Sequence, residues 1–252
     1  MKVIFIILVT SVACFSCGTQ QKNMASIEYA APRKVEEIRS EPLQSFRIIN
    51  NTSLKSLGGV VRDLSLALNE AGFQEKFLVG KEGLTVYLHD FVCTSFAISA
   101  AVMNSLSATT FNVKINKFNE QAEDKALAAT LIHEIMHCVL LNIYRRAQKL
   151  DEHAFNSIMS FGFNNASNFF DIMNEGETGS HELMYRLFYQ QMVVILERFA
   201  EIHRQTLNAK DAEFLMWSGL QNTDAYRKLS EERRGNIEFA ILKAKGFEVE
   251  GN

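Results

Sequence analysis

The amino-acid sequence predicts an α+β fold in which a small mixed sheet packs on a buried helix and the C-terminal half is mostly helical. Three observations support this prediction. Two short segments, Leu84–Leu88 and Thr109–Asn116, have strand character, and the second alternates polar and apolar residues. The run from Ala126 to Ile143 is apolar almost all round, which is typical of a helix buried in a core. Beyond residue 180, long stretches with helical periodicity dominate the sequence.

The predicted elements follow from local patterns. Leu54–Gly72 has apolar residues at helical spacing and ends at a glycine, which is a common helix stop. The segment Leu150–Asn168 has phenylalanines and asparagine-rich turns, and its structure is left open. The other predicted elements are strand Leu84–Leu88, helix Phe96–Leu106, strand Thr109–Asn116, helix Glu123–Gln148, helix Ser180–Thr206, helix Ala209–Leu220 and helix Glu231–Lys245.

The N-terminus has the composition of a secretory signal. A lysine at position 2 precedes the short apolar segment Val3–Ala13, which is too short to span a membrane, and small and polar residues follow it. Cys17 follows a serine and precedes a flexible polar stretch, as at a bacterial lipoprotein cleavage site, whereas the rival Cys14 is followed by a phenylalanine. We therefore expect residues 1–17 to be a lipoprotein signal peptide and Cys17 to carry lipid. This predicts a membrane-anchored protein of the cell envelope, either periplasmic or exposed at the surface.

Composition predicts how the rest of the chain is organised. Residues 18–45 are polar and contain both prolines, so we expect a flexible linker, and residues 46–252 suit one domain with a sizeable core. The net charge of −3 and the lack of a basic run give no reason to expect a nucleic-acid partner. Cys93 and Cys138 are expected to be buried free thiols, although an oxidising compartment would also permit a disulfide.

The segment His133-Glu134-Ile135-Met136-His137 reads H-E-x-x-H and carries the functional prediction. Residues four apart lie on one face of a helix, so the two imidazoles point the same way, about 6 Å apart along the axis. This spacing lets both histidines bind one Zn²⁺ ion, and Glu134 is then close enough to take a proton from a water molecule at the metal. Two imidazoles and a carboxylate inside an apolar helix need such partners. The alternative is a helix on which these three side chains simply reach the surface.

A zinc site on this helix needs a third protein ligand, and His181 is the best candidate. It lies 44 residues beyond His137, at the expected start of a long helix that Ser180 could cap. The alternatives are acidic residues nearby. Gly176 and Gly179 argue against the helix that Glu175 would need, and Glu182 suits the positive end of the helix dipole better than ligation. The weighed alternatives to His181 are Glu175, Glu177 and Glu182, and the histidines not expected to bind metal are His89, His153 and His203.

Three segments resemble one known family, the SprT-like zinc metallopeptidases, in a branch common in Bacteroidetes and their phages. They are I-N-K-F-N-E-Q-A-E-D-K-A-L-A-A-T-L-I-H-E-I-M-H, S-H-E-L-M-Y-R and M-W-S-G-L-Q-N-T-D-A-Y, and the similarity covers roughly residues 108–245. Ser218 stands where that branch usually has glycine. The resemblance implies a zincin-like fold with His133, His137 and His181 as zinc ligands and Glu134 as general base. Intracellular members cleave proteins linked to DNA, a substrate that the signal peptide makes doubtful for this chain.

The sequence therefore predicts a secreted, lipid-anchored zinc metallopeptidase that hydrolyses peptide bonds by zinc-activated water. Its expected partners are a protein or peptide substrate and the membrane. The strand Thr109–Asn116 is expected to line the cleft and pair with an extended substrate, and Tyr185 or Tyr189 could stabilise the oxyanion. The alternative function is a non-enzymatic lipoprotein, a scaffold or binding module that retains a zinc site. Zinc-dependent hydrolysis of a non-peptide bond is a third possibility.

Overall fold

The computed structural model describes residues 46–73, 83–92, 100–105, 107 and 109–247, all within a compact unit spanning Pro42–Asn252. The described part is a mixed α+β structure that is mostly helical, which confirms the predicted α+β class. The predicted signal peptide 1–17, with Cys17, and the linker 18–45 lie outside the described residues. Cys93 also lies outside them.

Four strands form one sheet. They are β1 (Phe46–Asn50), β2 (Leu84–Phe91), β3 (Ala100–Ser105) and β4 (Thr110–Asn116), arranged in the order β1-β2-β4-β3. The first three strands in that order are parallel, and β3 runs antiparallel along β4 at the edge. Because β4 pairs with β2 on one side and β3 on the other, its backbone is not open to a substrate. The prediction that this strand pairs with an extended peptide is wrong.

Eight α-helices are present among the described residues. They are α1 (Leu57–Glu70), α2 (Asp124–Gln148), α3 (Glu152–Ser160), α4 (Ala166–Asn174), α5 (Glu177–Ile202), α6 (Ala209–Met216), α7 (Asp224–Arg227) and α8 (Glu231–Ala244). Five of these were predicted, with ends that differ by a few residues. The segment left open, Leu150–Asn168, contains α3 and the start of α4. A 3-10 turn, Lys117–Gln121, joins β4 to α2.

The alternating pattern of the strands decides which face of the sheet is buried. The register places Val86 beside Phe111 and Leu88 beside Val113, so the apolar rows of neighbouring strands form one face. Helices α1 and α2 pack against the sheet. The buried rows are Leu84, Val86 and Leu88 in β2 and Phe111, Val113 and Ile115 in β4.

Helix α2 is the central helix of the fold. By length and composition it could cross a membrane, but most of it is buried inside the protein, as expected for a core helix. It contacts the sheet, α1 and α5, so most of its middle section is buried. The predicted buried motif helix is therefore confirmed, with His133 and Glu134 each only 6% exposed.

Two predictions of local structure are wrong. The helix predicted at Phe96–Leu106 is a strand over Ala100–Ser105, because this segment pairs with β4. The remaining residues of that prediction lie outside the described ones. The strand β1 was not predicted at all, since its five residues have no regular alternation and its partner β2 lies far along the chain.

Helix α5 begins three residues earlier than expected, and Ser180 does not cap it. Gly176 occupies the N-cap position with a φ of +74°, and the Ser180 hydroxyl donates to the carbonyl oxygen of Glu177 at 2.9 Å. Gly179 lies in the first turn because α4 passes very close: a Cβ at this position would be 1.8 Å from the carbonyl oxygen of Ile172. The two glycines that argued against a helix here therefore permit the tight junction between α4 and α5.

A charged cluster fastens α5 to α1 and α2. His203, at the C-terminal end of α5, donates from Nδ1 to Asp63 at 2.6 Å and from Nε2 to Asp124 at 2.9 Å. Burial of this ring lowers its pKa, but the hydrogen bonds to Asp124 and Asp63 outweigh burial and raise the pKa of His203 above its ordinary value. The ring also stacks on Phe199, with centroids 4.9 Å apart. The imidazolium thus links the C-terminal end of α5 to the start of α2 and the middle of α1.

Candidate metal centre

Three histidines from two packed helices meet in the interior. His133 and His137 lie one turn apart on α2, and His181 lies in the second turn of α5, which packs along α2. His133 and His181 are buried and His137 is half-buried. Such a position is unfavourable for imidazoles without polar partners, which points to a ligand that the three share.

The three Nε2 atoms converge. Nε2 of His137 lies 3.0 Å from Nε2 of His133 and 3.0 Å from Nε2 of His181. The three candidate ligand atoms all lie within 4.8 Å of one another, and the ring centroids are 4.8–5.0 Å apart. A tetrahedral zinc ion with Zn–N distances of about 2.0–2.1 Å separates its nitrogen ligands by about 3.3–3.4 Å. The two separations that involve His137 therefore differ by only a few tenths of an ångström from those around a tetrahedral ion.

The electrostatics keep these rings in the form that binds metal. Burial lowers the pKa of His133 far below its usual value, and its neighbours His137 and His181 lower it further. Burial, followed by repulsion from His181, lowers the pKa of His137 to about 3. Burial also lowers the pKa of His181. At neutral pH all three imidazoles are neutral, so each has a nitrogen lone pair for a cation.

The structure brings His181, and none of its acidic rivals, to the two motif histidines. Among the described residues, His133, His137 and His181 form the one group with metal-ligating geometry. Glu175 and Glu177 are exposed at the junction of α4 and α5. Glu182 points elsewhere, since its carboxylate accepts a hydrogen bond from the backbone N–H of Asp224. The site can thus bind a metal ion. Which ion it binds has to be inferred from the chemistry of its three imidazole ligands.

Glu134 and Cys138 lie beside the histidines on α2. Glu134 directly follows His133 in the chain and is buried. Cys138 is a buried free thiol, and burial, with the negative charge of Glu134, raises the pKa of this thiol well above its ordinary value. It is therefore a protonated, inert core residue rather than a ligand.

A loop after α6 touches two of the three histidines, and sequence reasoning had given its residues no role. Gly219 has a φ of +89°, and a Cβ there would lie 2.5 Å from Cε1 of His133. Asn222 lies within hydrogen-bond distance of His181, with its Oδ1 2.9 Å from Nδ1 of the ring. Both residues belong to the M-W-S-G-L-Q-N segment of the family resemblance, which was the only available signal. Nothing in local spacing predicts which loop atoms reach the histidines.

Aromatic rings support the same loop. Trp217 is buried and stacks on Tyr185 with ring centroids 5.1 Å apart, while Tyr189 lies at 5.0 Å from it. The Tyr189 hydroxyl donates to the carbonyl oxygen of Glu213 at 2.9 Å, so its proton is already used in a hydrogen bond. Tyr185 is half-buried and lies one helical turn after His181, on the same side of α5. Of the two tyrosines considered for oxyanion stabilisation, Tyr189 therefore has its hydroxyl engaged by a backbone carbonyl.

The other histidines have roles that do not involve this site. His89 donates from Nε2 to Oδ1 of Asn112 on the neighbouring strand, at 3.1 Å. His153 is exposed on α3, and His203 bridges its two aspartates. None of the three lies in the metal-ligating group found among the described residues.

Comparisons of the chain with protein-family models, curated proteins and solved structures found no match. The functional interpretation of the site therefore depends on its own residues and geometry.

Proposed function

We propose that this protein is a zinc metallopeptidase in which His133, His137 and His181 bind Zn²⁺ and Glu134 is the general base. The observation that carries the proposal is the convergence of three neutral, largely buried Nε2 atoms beside a buried glutamate. Three histidines without a cysteine favour a borderline cation such as zinc over a hard cation such as calcium or magnesium. Three protein ligands leave a fourth position open, which is typical of catalytic rather than structural zinc.

In the proposed reaction, the metal ion and the residues of the chain would have different roles. Zinc, when bound, supplies Lewis-acid chemistry that makes water nucleophilic at neutral pH and polarises a carbonyl. Glu134 accepts the proton of the attacking water and returns it to the leaving amine nitrogen. The apolar core around α2 excludes bulk water and thereby strengthens these charge interactions. Tyr185, one turn beyond His181, is the residue best placed to donate a hydrogen bond to the developing oxyanion.

The edge strand β3 is the element suited to bind an extended peptide. It pairs with β4 on one side only among the described strands, and it packs near α2. An extended substrate backbone can add to such an edge through main-chain hydrogen bonds. This assignment transfers to β3 the role that the sequence had suggested for β4.

The proposed family is the SprT-like zincins, which the three sequence segments resemble. The arrangement supports it in one respect: a buried H-E-x-x-H helix receives its third histidine from the following long helix. We further propose a lipid anchor at Cys17 and a location in the cell envelope, from the signal-like composition of residues 1–17. The substrate class that follows is protein or peptide outside the cytoplasm.

The test compares wild type with Glu134→Gln and Glu175→Gln. The glutamine in Glu134→Gln keeps the shape of the native side chain but cannot accept a proton, so zinc content should remain while proteolysis of an unfolded protein falls by about 10²–10⁴-fold. Glu175 is exposed and outside the histidine group, so its variant is the matched control and should keep both properties. Zinc is measured by elemental analysis of purified protein, and cleavage by gel electrophoresis and mass spectrometry.

Three results would overturn the proposal. Equal cleavage by wild type and Glu134→Gln would remove Glu134 from the mechanism. Loss of zinc in Glu175→Gln would reassign the third ligand. Zinc binding without cleavage of any unfolded protein or peptide panel would favour the alternative function, a non-enzymatic lipoprotein that retains a zinc site.

A further inference from the structure

Of the three converging histidines, His181 alone lies on α5, so its orientation has to be set separately from that of the two histidines on α2. Its Nε2 faces the other Nε2 atoms, and its Nδ1 lies 2.9 Å from Oδ1 of Asn222. Asn222 lies in the loop between α6 and α7, 41 residues further along the chain. The contact thus joins the candidate metal centre to a distant segment of the sequence.

The chemistry of the ring explains why this contact matters. A neutral imidazole has one N–H and one lone pair, and Nε2 must keep the lone pair to bind a metal ion. The proton must therefore be on Nδ1, where it needs an acceptor. The side-chain carbonyl of Asn222 is such an acceptor, so the hydrogen bond selects the tautomer that binds metal and fixes the plane of the ring. By contrast, Nδ1 of His133 has no hydrogen-bond partner among the described residues.

The loop around Asn222 is itself held rigidly. The Thr223 hydroxyl donates to the carbonyl oxygen of Leu220 at 2.7 Å and accepts from the backbone N–H of Tyr226 at 3.3 Å. Glu182, the neighbour of His181, accepts a hydrogen bond from the backbone N–H of Asp224. These contacts fix the residues on the C-terminal side of Asn222 to α5, so its carbonyl stays in place beside the ring.

We propose that Asn222 is a positioning residue of the metal centre, which sets the tautomer and ring orientation of His181. This inference rests on the proposed metal-binding function of the site, but not on peptidase activity. Outer partners of metal-bound histidines typically contribute 10–100-fold in metal affinity, and we expect an effect of that size here.

The experiment compares three variants with wild type. Asn222→Leu removes the acceptor at similar volume, whereas Asn222→Asp keeps an oxygen acceptor in the same place. Asn208→Leu is the matched control: Asn208 caps α6 by accepting from the backbone N–H of Asp211 and does not contact the histidines, so its loss lowers stability without altering the ligands. Zinc affinity is measured by competition with a chelator, and the ligand field by visible absorption of the cobalt-substituted protein.

We expect Asn222→Leu to bind zinc about 10–100-fold more weakly and to change the cobalt spectrum. Asn222→Asp should stay close to wild type in both measurements, and Asn208→Leu should keep wild-type affinity. In the metal-free protein, ¹⁵N NMR of the histidine rings should show a proton on Nδ1 of His181 in wild type and Asn222→Asp. That single tautomer should be lost in Asn222→Leu. If Asn222→Leu does not fold, Asn222→Ala replaces it, with the same direction of change expected.

Wild-type affinity and an unchanged cobalt spectrum in Asn222→Leu or its Ala substitute would overturn the proposal. Equal weakening in Asn208→Leu would also overturn it, because the effect would then reflect stability alone. If wild type binds zinc but cleaves nothing, the peptidase proposal fails. The positioning role of Asn222 is then still decided by the zinc affinities of the Asn222 variants. If wild type binds neither zinc nor cobalt, both are wrong.

Discussion

Substituting Gly219 with alanine should damage the candidate metal centre through one methyl group. The added Cβ would lie 2.5 Å from Cε1, 2.9 Å from Nε2 and 3.0 Å from Nδ1 of His133, and the first two distances are shorter than real Cβ atoms adopt. Its φ of +89° is in addition a conformation that L-residues rarely adopt. Gly219→Ala therefore combines backbone strain with a collision against a ligand candidate.

The expected cost has two parts. Backbone strain at such a φ costs about 1–3 kcal/mol in the free energy of unfolding. The collision adds about 1–3 kcal/mol, since His133 lies on the buried helix α2 and its ring is enclosed by those of His137 and His181. Because the ring can yield only by leaving its place, zinc affinity should fall by about tenfold or more.

Alanine substitutions at two other glycines distinguish the backbone cost from the cost of the collision. Gly162 has a similar φ of +82° but open space around its Cβ position, so Gly162→Ala should show the backbone cost and normal zinc affinity. Gly235 lies inside α8 with open space and no positive φ, so Gly235→Ala should stabilise the protein by about 0.5–1 kcal/mol. Urea unfolding of the metal-free proteins measures stability, and chelator competition measures zinc affinity. The reasoning fails if Gly219→Ala loses no more stability than Gly162→Ala and binds zinc like wild type.

Two further predictions concern pH and location. Because the folded-state pKa of His203 is raised, its bridge to Asp63 and Asp124 stabilises the fold fully below about pH 6.5 and loses this effect as pH rises through the raised pKa. Urea unfolding measures the free energy of unfolding of wild type and of His203→Gln. This free energy should be about 2 kcal/mol higher for wild type just below pH 6.5, and the difference should shrink as pH rises through the raised pKa of His203. A difference that does not change with pH would contradict the assignment. Cys17→Ser should release the protein from membranes or leave an unprocessed precursor, since stable anchoring takes two or more acyl chains. Fractionation and mass spectrometry check this, and a lipid-free mature N-terminus elsewhere would refute it.

The helices follow from the sequence where periodicity and burial agree over many residues. Helix α2 was predicted within one residue at its start, since its apolar run admits no other buried element of that length. Its local geometry also determined that His133 and His137 face the same way. By contrast, residues 100–105 have an apolar pattern that suits either a helix or a strand, and pairing with β4 made them a strand.

The sequence by itself determined the H-E-x-x-H face, the burial of Glu134 and the helical C-terminal half, because all three depend on neighbours within a few turns of one helix. Only the tertiary structure decided which side chain completes the histidine cluster and what holds it there. His181 reaches its partners because Gly179 lets α5 begin against α4, and the loop with Gly219 and Asn222 closes over the rings. Such contacts depend on how distant segments pack, which no local pattern encodes.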